Sequence, residues 1–366
     1  MRSSSAARRA KSSNRGFSLI EVMVALVIGM IGVLIIMQVA RTAEAQKRAT
    51  TGAGDSQTNG ALAMHSVQRD IRQAGYGFSS LSAVGCPLTI PGPGPGREDL
   101  ALDVLAPVTI IPSDDDAPVP IEDMPKGDIG TDTLFIVYGN SVAPPEGDTI
   151  VSVEPLGDRQ RVGVTSAANF KNGDWIFVAP PSPEPGCALT LGKAEVHAPT
   201  VDVRDASADM GRSLFDLGSP RIVAYAVRNG NLITCDYMQA DCNTVDNWTV
   251  VANGVVGLRA QYGHDTGSPG DIEAWDQVSP VLSAPSKQER FACAWARISA
   301  IRLALVVRSG ERQREEVSAA LPRWMGGGED GAPIELTNPD WKHYRYQVYE
   351  TVMPLRNIPW MGTCLL

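Results

Sequence analysis

Residues 15–40 read RGFSLIEVMVALVIGMIGVLIIMQVA, and no residue from Val22 to Ala40 is charged. As an α-helix, residues 17–40 would rise about 36 Å. The hydrocarbon layer of a membrane is about 30 Å thick, so the segment is long enough to cross it. The sequence therefore predicts a membrane-spanning helix over residues 17–40.

Charged residues flank this segment unevenly. Five basic residues and no acidic residue precede Gly16, namely Arg2, Arg8, Arg9, Lys11 and Arg15. The stretch after the segment is closer to balance, with Glu44 beside Arg41, Lys47 and Arg48. Because basic residues are retained on the cytoplasmic side of a membrane, we expect a cytoplasmic amino terminus and an exported carboxy-terminal body.

Two other kinds of amino-terminal segment compete with this interpretation. A cleaved secretory signal has an apolar core of about 7 to 15 residues followed by small residues, and this apolar run is longer. An uncleaved signal anchor fits the length but leaves Glu21 unexplained, since an acidic group within a membrane helix is costly. Glu21 therefore needs a partner that compensates its charge.

The residues Arg15-Gly16-Phe17-Ser18-Leu19-Ile20-Glu21 resemble the cleavage motif of type IV prepilins. The resemblance implies that a membrane aspartyl peptidase cuts between Gly16 and Phe17 and methylates the new amine of Phe17. Residues 1–16 would then be a leader peptide, and residues 17–40 would form the helix of a filament core.

In the family that this motif resembles, the carboxylate at the position of Glu21 meets the terminal amine of a neighbouring subunit. Because an unpaired carboxylate in a low-dielectric helix bundle is costly, this pairing selects one axial register. The other interpretation is that Glu21 complements the positive end of its own helix. The two interpretations do not exclude each other.

Residues 41–77 read as an amphipathic helix that links the membrane span to the body. Met64, Val67, Ile71 and Ala74 recur at helical spacing and predict one buried face. Residues 50–60 are poor in helix formers and hold three glycines, so we expect a weakened or locally melted segment there. Residues 75–77, Gly-Tyr-Gly, predict its end.

The remainder, residues 78–366, predicts a β-rich domain. The chain has 35 Gly and 26 Pro and few long helical periods after residue 75, a pattern typical of short strands joined by turns. Asn229-Gly230 predicts a two-residue hairpin. The predicted strands are Thr133–Tyr138, Thr149–Val153, Trp175–Ala179, Ile222–Val227, Leu232–Cys235, Val255–Tyr262, Ile298–Arg308 and Tyr344–Val352. The fold class expected is therefore α+β, with a long amino-terminal helix packed on this domain.

Six cysteines follow the apolar segment, an even number that fits an oxidising compartment such as a periplasm. Their spacing alone leaves many connectivities open. Cys235 and Cys242 are close in sequence, so we expect them to close a local loop. For the other four we expect the pairs Cys86–Cys187 and Cys293–Cys364.

Composition argues against several other functions. Five of the cations belong to the leader, so the body is more acidic than the overall charge of −9, and it lacks the grouped Lys and Arg that nucleic acid requires. The four histidines are far apart, and neither a Gly-x-Ser-x-Gly elbow nor a Cys-x-x-Cys pair occurs. We therefore expect no catalytic residues, no metal site and no cofactor.

Several internal stretches resemble PilW-type minor pilins in addition to the cleavage motif. They are residues 71–76 at a helix exit, 253–266 in a central strand and loop, 301–309 in a later strand, and 348–357 in a closing strand. The resemblance implies a pilin-like fold and a role in starting pilus assembly, at the pilus tip, in twitching motility, adhesion or DNA uptake.

The same resemblance implies a place in the cell and a set of partners. The protein would be a single-pass inner-membrane protein with a periplasmic body that later enters the pilus. Its partners would be the prepilin peptidase, other minor pilins, the major pilin, the assembly platform and a tip adhesin. Two alternatives stay open: a J-type pseudopilin of type II secretion, and an uncleaved, signal-anchored periplasmic adhesin or enzyme that keeps residues 1–16.

Overall fold

A computed structural model describes residues 16–94, 96–113, 119–157, 159–204, 208–265, 271–327, 331–359 and 364. Residues 1–15 of the expected leader lie outside the described residues, as does Thr266 of the expected central loop. The chain divides into two units, one that ends at Gly52 and one that begins at Ala53. We call the second unit the body.

The first α-helix, α1, runs from Leu19 to Gln73. The expected local melting over residues 50–60 is wrong, because these residues are helical. In the body part of the helix, the hydroxyls of Ser56 and Thr58 donate to preceding carbonyl groups of the same helix. Local propensity is a weak prior that hydrogen bonds and tertiary packing override.

Packing against the body also stabilises this part of α1. Ser56 and Gly60 are buried, and a Cβ at Gly60 would overlap the ring of Tyr349. Further along, Ala63, Val67 and Ile71 are fully buried. The apolar face predicted from the helical spacing is therefore confirmed.

The end of α1 is fixed by a glycine and by the carboxy-terminal part of the body. Gly75 has φ of +81°, a left-handed conformation that suits glycine at a helix end. The amide of Asn357 donates to the carbonyl oxygens of Gln73 at 3.3 Å and of Ala74 at 3.2 Å. Because the last carbonyl groups of a helix lack partners within it, Asn357 satisfies groups that would otherwise be open.

A buried carboxylate joins the same helix to the main sheet. Asp70 is 1% exposed and accepts hydrogen bonds from the hydroxyls of Tyr225 at 2.6 Å and Tyr138 at 3.1 Å. Burial and the charge of Asp70 raise the pKa of Tyr138 to about 12, so this hydroxyl stays a donor at neutral pH. Arg69 Nε lies 3.1 Å from the Asp70 carboxylate and supplies the opposite charge.

The strands follow in chain order: β1 (Leu88–Ile90), β2 (Leu100–Leu102), β3 (Val108–Ile111), β4 (Thr133–Tyr138), β5 (Asp148–Leu156), β6 (Arg159–Val164), β7 (Trp175–Ala179), β8 (Leu189–Thr190), β9 (Gly192–Lys193), β10 (Glu195–His197), β11 (Thr200–Val203), β12 (Ser213–Gly218), β13 (Arg221–Arg228), β14 (Asn231–Asp236), β15 (Thr249–Asn253), β16 (Val255–His264), β17 (Ala274–Asp276), β18 (Ile298–Arg308), β19 (Arg323–Trp324), β20 (Ala332–Pro333) and β21 (Tyr346–Pro354). A second α-helix, α2, spans Gln288–Ala296. Single 3-10 turns occur at Ala167–Asn169, Val245–Asn247, Pro285–Lys287, Met325–Gly327 and Trp341–His343.

These strands form several sheets in the described part of the chain. The largest has the order β10-β11-β6-β5-β12-β7-β9, and a five-stranded sheet has the order β15-β14-β13-β4-β3. A four-stranded sheet follows the order β17-β16-β18-β21, and β2-β1-β8 and β19-β20 make two smaller sheets. The predicted α+β class, a long amino-terminal helix with a large β-rich domain, is confirmed.

Most of the predicted strands differ from the observed ones only at their ends. The hairpin expected at Asn229-Gly230 joins β13 to β14, and both residues have positive φ, as a tight hairpin turn requires. The last predicted strand starts two residues later than expected, at Tyr346. The helix α2 was not predicted, although it buries Phe291 and Trp295 on one face.

Three disulfides cross-link the body. They join Cys86 to Cys187, Cys235 to Cys242 and Cys293 to Cys364, with Cα–Cα distances of 5.5, 5.8 and 5.6 Å. These distances fall within the range that disulfide geometry allows. The first bridge spans 101 residues of sequence and the second only 7.

Candidate assembly site on the amino-terminal helix

The expected cleavage point precedes the first helical turn. Gly16, Phe17 and Ser18 are not helical, and α1 begins at Leu19. The side chain of Phe17 is 88% exposed, and no described atom lies within 4 Å of the place where a Cβ of Gly16 would be. The bond between Gly16 and Phe17 is thus unobstructed by the described residues.

Glu21 lies in the first turn of α1 and caps the helix within its own chain. Its Oε2 accepts a hydrogen bond from the backbone N–H of Ser18 at 3.0 Å, and the backbone N–H of Glu21 donates to the Ser18 carbonyl at 3.0 Å. This is the backward half of a capping box. This role of Ser18 is not among the sequence predictions, although the spacing Ser-x-x-Glu before an apolar run is the signal for it.

Glu21 is followed by small residues on the same side of the helix. Ala25 and Gly29 stand one and two steps of four residues beyond it, and such steps stay on one helix face. Together with Phe17 and Val33 they line a concave strip of the surface. Small residues allow a second helix to approach closely, so the geometry suits helix packing along this strip.

The rest of the amino-terminal helix exposes apolar side chains on all sides. Leu19, Ile28, Met30 and Ile36 are between 65% and 78% exposed, and other residues of the segment are similar. Leu19–Glu44 is long and apolar enough to cross a membrane by length and composition. An apolar surface of this extent requires lipid or protein to cover it.

Away from the helix, the described residues bring three potential metal ligands together on the seven-stranded sheet. The side chains of Glu195, His197 and Asp202 offer ligand atoms within 4.8 Å of one another. Arg161, however, donates to both oxygens of Asp202, at 2.7 and 2.9 Å, and holds the pKa of this carboxyl below its usual range. Arg159 pairs with Glu195. The arrangement is an ion-pair network that already neutralises both carboxylates.

Comparisons with known protein families agree with the geometry of the amino terminus. The model of the prokaryotic N-terminal methylation motif matches residues 11–37. This match covers Gly16, Phe17, Glu21 and most of the exposed apolar helix. The chain is therefore a prepilin-like protein with a membrane-anchoring helix.

A second family model describes the body. The model of the type IV pilus-assembly protein W, PilW, matches residues 224–357, from β13 to the residue that caps α1. The two family matches together support a PilW-type, prepilin-like pilin whose function is related to type IV pili. No curated protein and no solved structure gives a significant match. Both matched families consist of pilins or pilus-assembly proteins, which are not enzymes.

Proposed function

We propose that this protein is a minor pilin that is processed between Gly16 and Phe17 and then joins other pilins to prime a type IV pilus. It acts by assembly rather than by catalysis. The amino terminus lies in the cytoplasm before processing and the body in the periplasm. After assembly the protein sits at the pilus tip, where it serves twitching motility, adhesion or DNA uptake.

One observation carries the proposal: Glu21 is an isolated acid at the start of an exposed apolar helix. From Leu19 to Ala40 it is the one charged residue, and its hydrogen-bond partner in the described chain is the N–H of Ser18. A backbone N–H stabilises a carboxylate but does not neutralise its charge. The amine created at Phe17 by cleavage supplies a full positive charge four residues away along the chain.

The small residues that follow Glu21 support a contact between subunits. Ala25 and Gly29 leave the strip beside Glu21 open to another helix. When two such helices approach, water is excluded and the attraction between a carboxylate and an ammonium group strengthens. A neighbour placed in the wrong register would leave both charges unpaired, which disfavours it.

The Ser18 contact defines what Glu21 does before assembly. The capping box holds the carboxylate beside the amino-terminal backbone, where the new Phe17 amine also lies. We propose that Glu21 first serves its own helix and then exchanges this contact for the amine of a neighbouring subunit. The partners include the prepilin peptidase, other minor pilins, the major pilin, the assembly platform and a tip adhesin.

Replacement of Glu21 tests this proposal in cells that make the full pilus system. We expect Glu21→Gln and Glu21→Ala to be processed at Gly16 but to lose at least about tenfold in co-purification with other pilins, because one buried ion pair is missing. The matched control is Asp55→Ala, which removes an exposed acid from the same helix. It should leave co-purification unchanged.

Piliation and pilin binding that are unchanged in both Glu21 variants would contradict the proposal. The identity of the co-purified proteins distinguishes a pilus function from a function in type II secretion. Pseudopilins of a type II secretion system in place of pilins would assign the protein to secretion.

A further inference from the structure

A cavity of about 640 Å³ opens on the body where the hairpin turn after β13 meets the carboxy-terminal end of β18. Its walls include Asp128 and Asn229 on one side, Asn338 on another, and the apolar side chains of Val256 and Leu336. None of these residues belongs to the amino-terminal helix. The cavity therefore shares no residue with the assembly site described above.

Arg308 lines this cavity and forms no ion pair with a described residue. Its guanidinium carbon is 4.4 Å from the centre of the Tyr344 ring, which fixes the group by cation–π stacking. Its Nε is buried and makes no hydrogen bond, and no described carboxylate forms an ion pair with the guanidinium. A buried donor without an acceptor is costly and rare in native structures.

The neighbouring groups in the described structure form no direct ion pair with this cation. Burial raises the pKa of Tyr346 to about 12, so its hydroxyl is uncharged at neutral pH. Asp128 lines the same cavity and its Oδ2 accepts a hydrogen bond from the N–H of Asn229 at 2.8 Å, but its carboxylate forms no ion pair with Arg308. The guanidinium of Arg308 is thus stacked on an aromatic ring and has no direct ion pair with any described residue, on a body that is acidic overall.

The cavity wall is held in place before any ligand arrives. Asp128 donates its N–H to the Val227 carbonyl at 2.7 Å, and Arg228 donates to the carbonyls of Pro125 at 2.7 Å and Lys126 at 2.9 Å. These bonds fix the loop that carries Asp128 against β13. Preformed sites lose little entropy on binding.

At the rim, Ile129 is 75% exposed. A free small anion has no use for such a side chain, whereas a protein segment would cover it. An arginine stacked on an aromatic ring and surrounded by apolar contacts is typical of the residues that dominate protein interfaces. The combination favours a protein ligand.

We infer that this cavity binds an acidic side chain of a partner protein, with its carboxylate on the Arg308 guanidinium and an adjoining apolar residue on Ile129. Aspartate or glutamate matches the planar fork of arginine in a two-bond contact. The inference rests on the cavity alone and goes beyond the proposed role of Glu21. It gives the body a specific docking point for a second protein.

Peptide binding to the full-length protein in detergent micelles tests this inference. The probes are acetyl-Ser-Glu-Val-amide and the same peptide with Gln in place of Glu, measured by isothermal titration calorimetry. We expect saturable binding of the Glu peptide, weaker binding at higher salt, and no saturable binding of the Gln peptide. Arg308→Gln should weaken the Glu peptide about tenfold or more, and Arg308→Lys should weaken it less.

Two further variants keep the test independent of folding defects. Ile129→Ser changes an exposed residue and should lower the affinity several-fold, while Arg314→Gln removes an exposed arginine elsewhere and should leave it unchanged. If Arg308→Gln does not fold, Arg308→Lys and Ile129→Ser carry the comparison. Absence of saturable Glu-peptide binding, or equal binding of the Gln peptide, overturns the inference. Sodium acetate that binds as tightly as the Glu peptide also overturns it, because the site would then take free carboxylates.

Discussion

Side chains of the same apolar types lie in opposite environments in the two units of this chain. From Leu19 to Val39 they are exposed, whereas in the body they form a continuous core around Val67, Phe135 and Leu303. The body also pairs Asp70, Asp132 and other buried carboxylates with groups of its own. The amino-terminal helix therefore depends on lipid or other subunits, while the body is stabilised by contacts within itself.

Among these replacements, removing the disulfide that closes the longer loop should lower the stability of the body the most. The bridge between Cys86 and Cys187 closes 101 residues, so replacing both cysteines by Ala should lower the free energy of unfolding by about 4 kcal/mol. The same change at Cys235 and Cys242, which are 7 residues apart, should cost about 2 kcal/mol. Denaturant unfolding of the full chain in micelles measures both. An equal loss in the two double variants would show that loop length does not govern these bridges.

The contact between Asp70 and the two tyrosines tests how firmly the body holds its own part of α1. Asp70→Ala leaves the hydroxyls of Tyr138 and Tyr225 without their acceptor, and we expect a loss of about 3 kcal/mol in unfolding free energy. Asp55→Ala, on the same helix but exposed, should change it by less than about 0.5 kcal/mol. If both replacements lowered the unfolding free energy by similar amounts, the hydrogen bonds of Asp70 to the two tyrosines would not be what stabilises the body.

Acidification should stabilise the body slightly. Burial raises the pKa of Asp132 and of Asp216 to about 6, although Arg259 favours the charged form of Asp132 and Ser141 that of Asp216. When the pKa of a carboxyl group is higher in the folded state than in the unfolded state, the group contributes its full stability at a pH below its unfolded-state pKa. This contribution is lost as the pH rises through the folded-state pKa of about 6. Between pH 7 and pH 5 we expect a gain on the order of 1 kcal/mol for each group.

Thermal unfolding at pH 7, 6 and 5 measures this gain. Asp132→Asn, which cannot titrate, should remove about half of the rise between pH 7 and pH 5. The amide side chain can still accept a hydrogen bond from the N–H of Ala260, so the contact to β16 is not lost entirely. A melting temperature that falls steadily from pH 7 to pH 5 would contradict the raised pKa values.

Sequence patterns predicted the elements with strong local signals. The runs Thr133–Tyr138 and Ile298–Arg308 are rich in β-branched and apolar residues, and both are strands with the predicted bounds. The turn at Asn229-Gly230 and the buried face of α1 follow in the same way from local chemistry. The methylation motif could also be recognised from the sequence, because its residues are contiguous.

Other elements depend on contacts that a local pattern does not contain. The strand β6, Arg159–Val164, is half polar, and its arginines become strand residues through the ion pairs of Arg161 with Asp202 and Arg159 with Glu195. The glycines of residues 50–60 predict a weakened or locally melted segment, yet these residues are helical and Gly60 packs against Tyr349. The sequence identifies Arg308 only as part of a strand, because the lack of an ion-pair partner is a property of the folded body.

We propose that Glu21 is paired by an amine that exists only after cleavage. The most direct test is the intact mass and amino-terminal sequence of the protein extracted from native membranes, with Gly16→Leu as an unprocessed standard. We predict a chain that starts at Phe17 and carries one added methyl group on its amine. A chain that starts at Met1 would contradict the account, because no new amine would be available to Glu21.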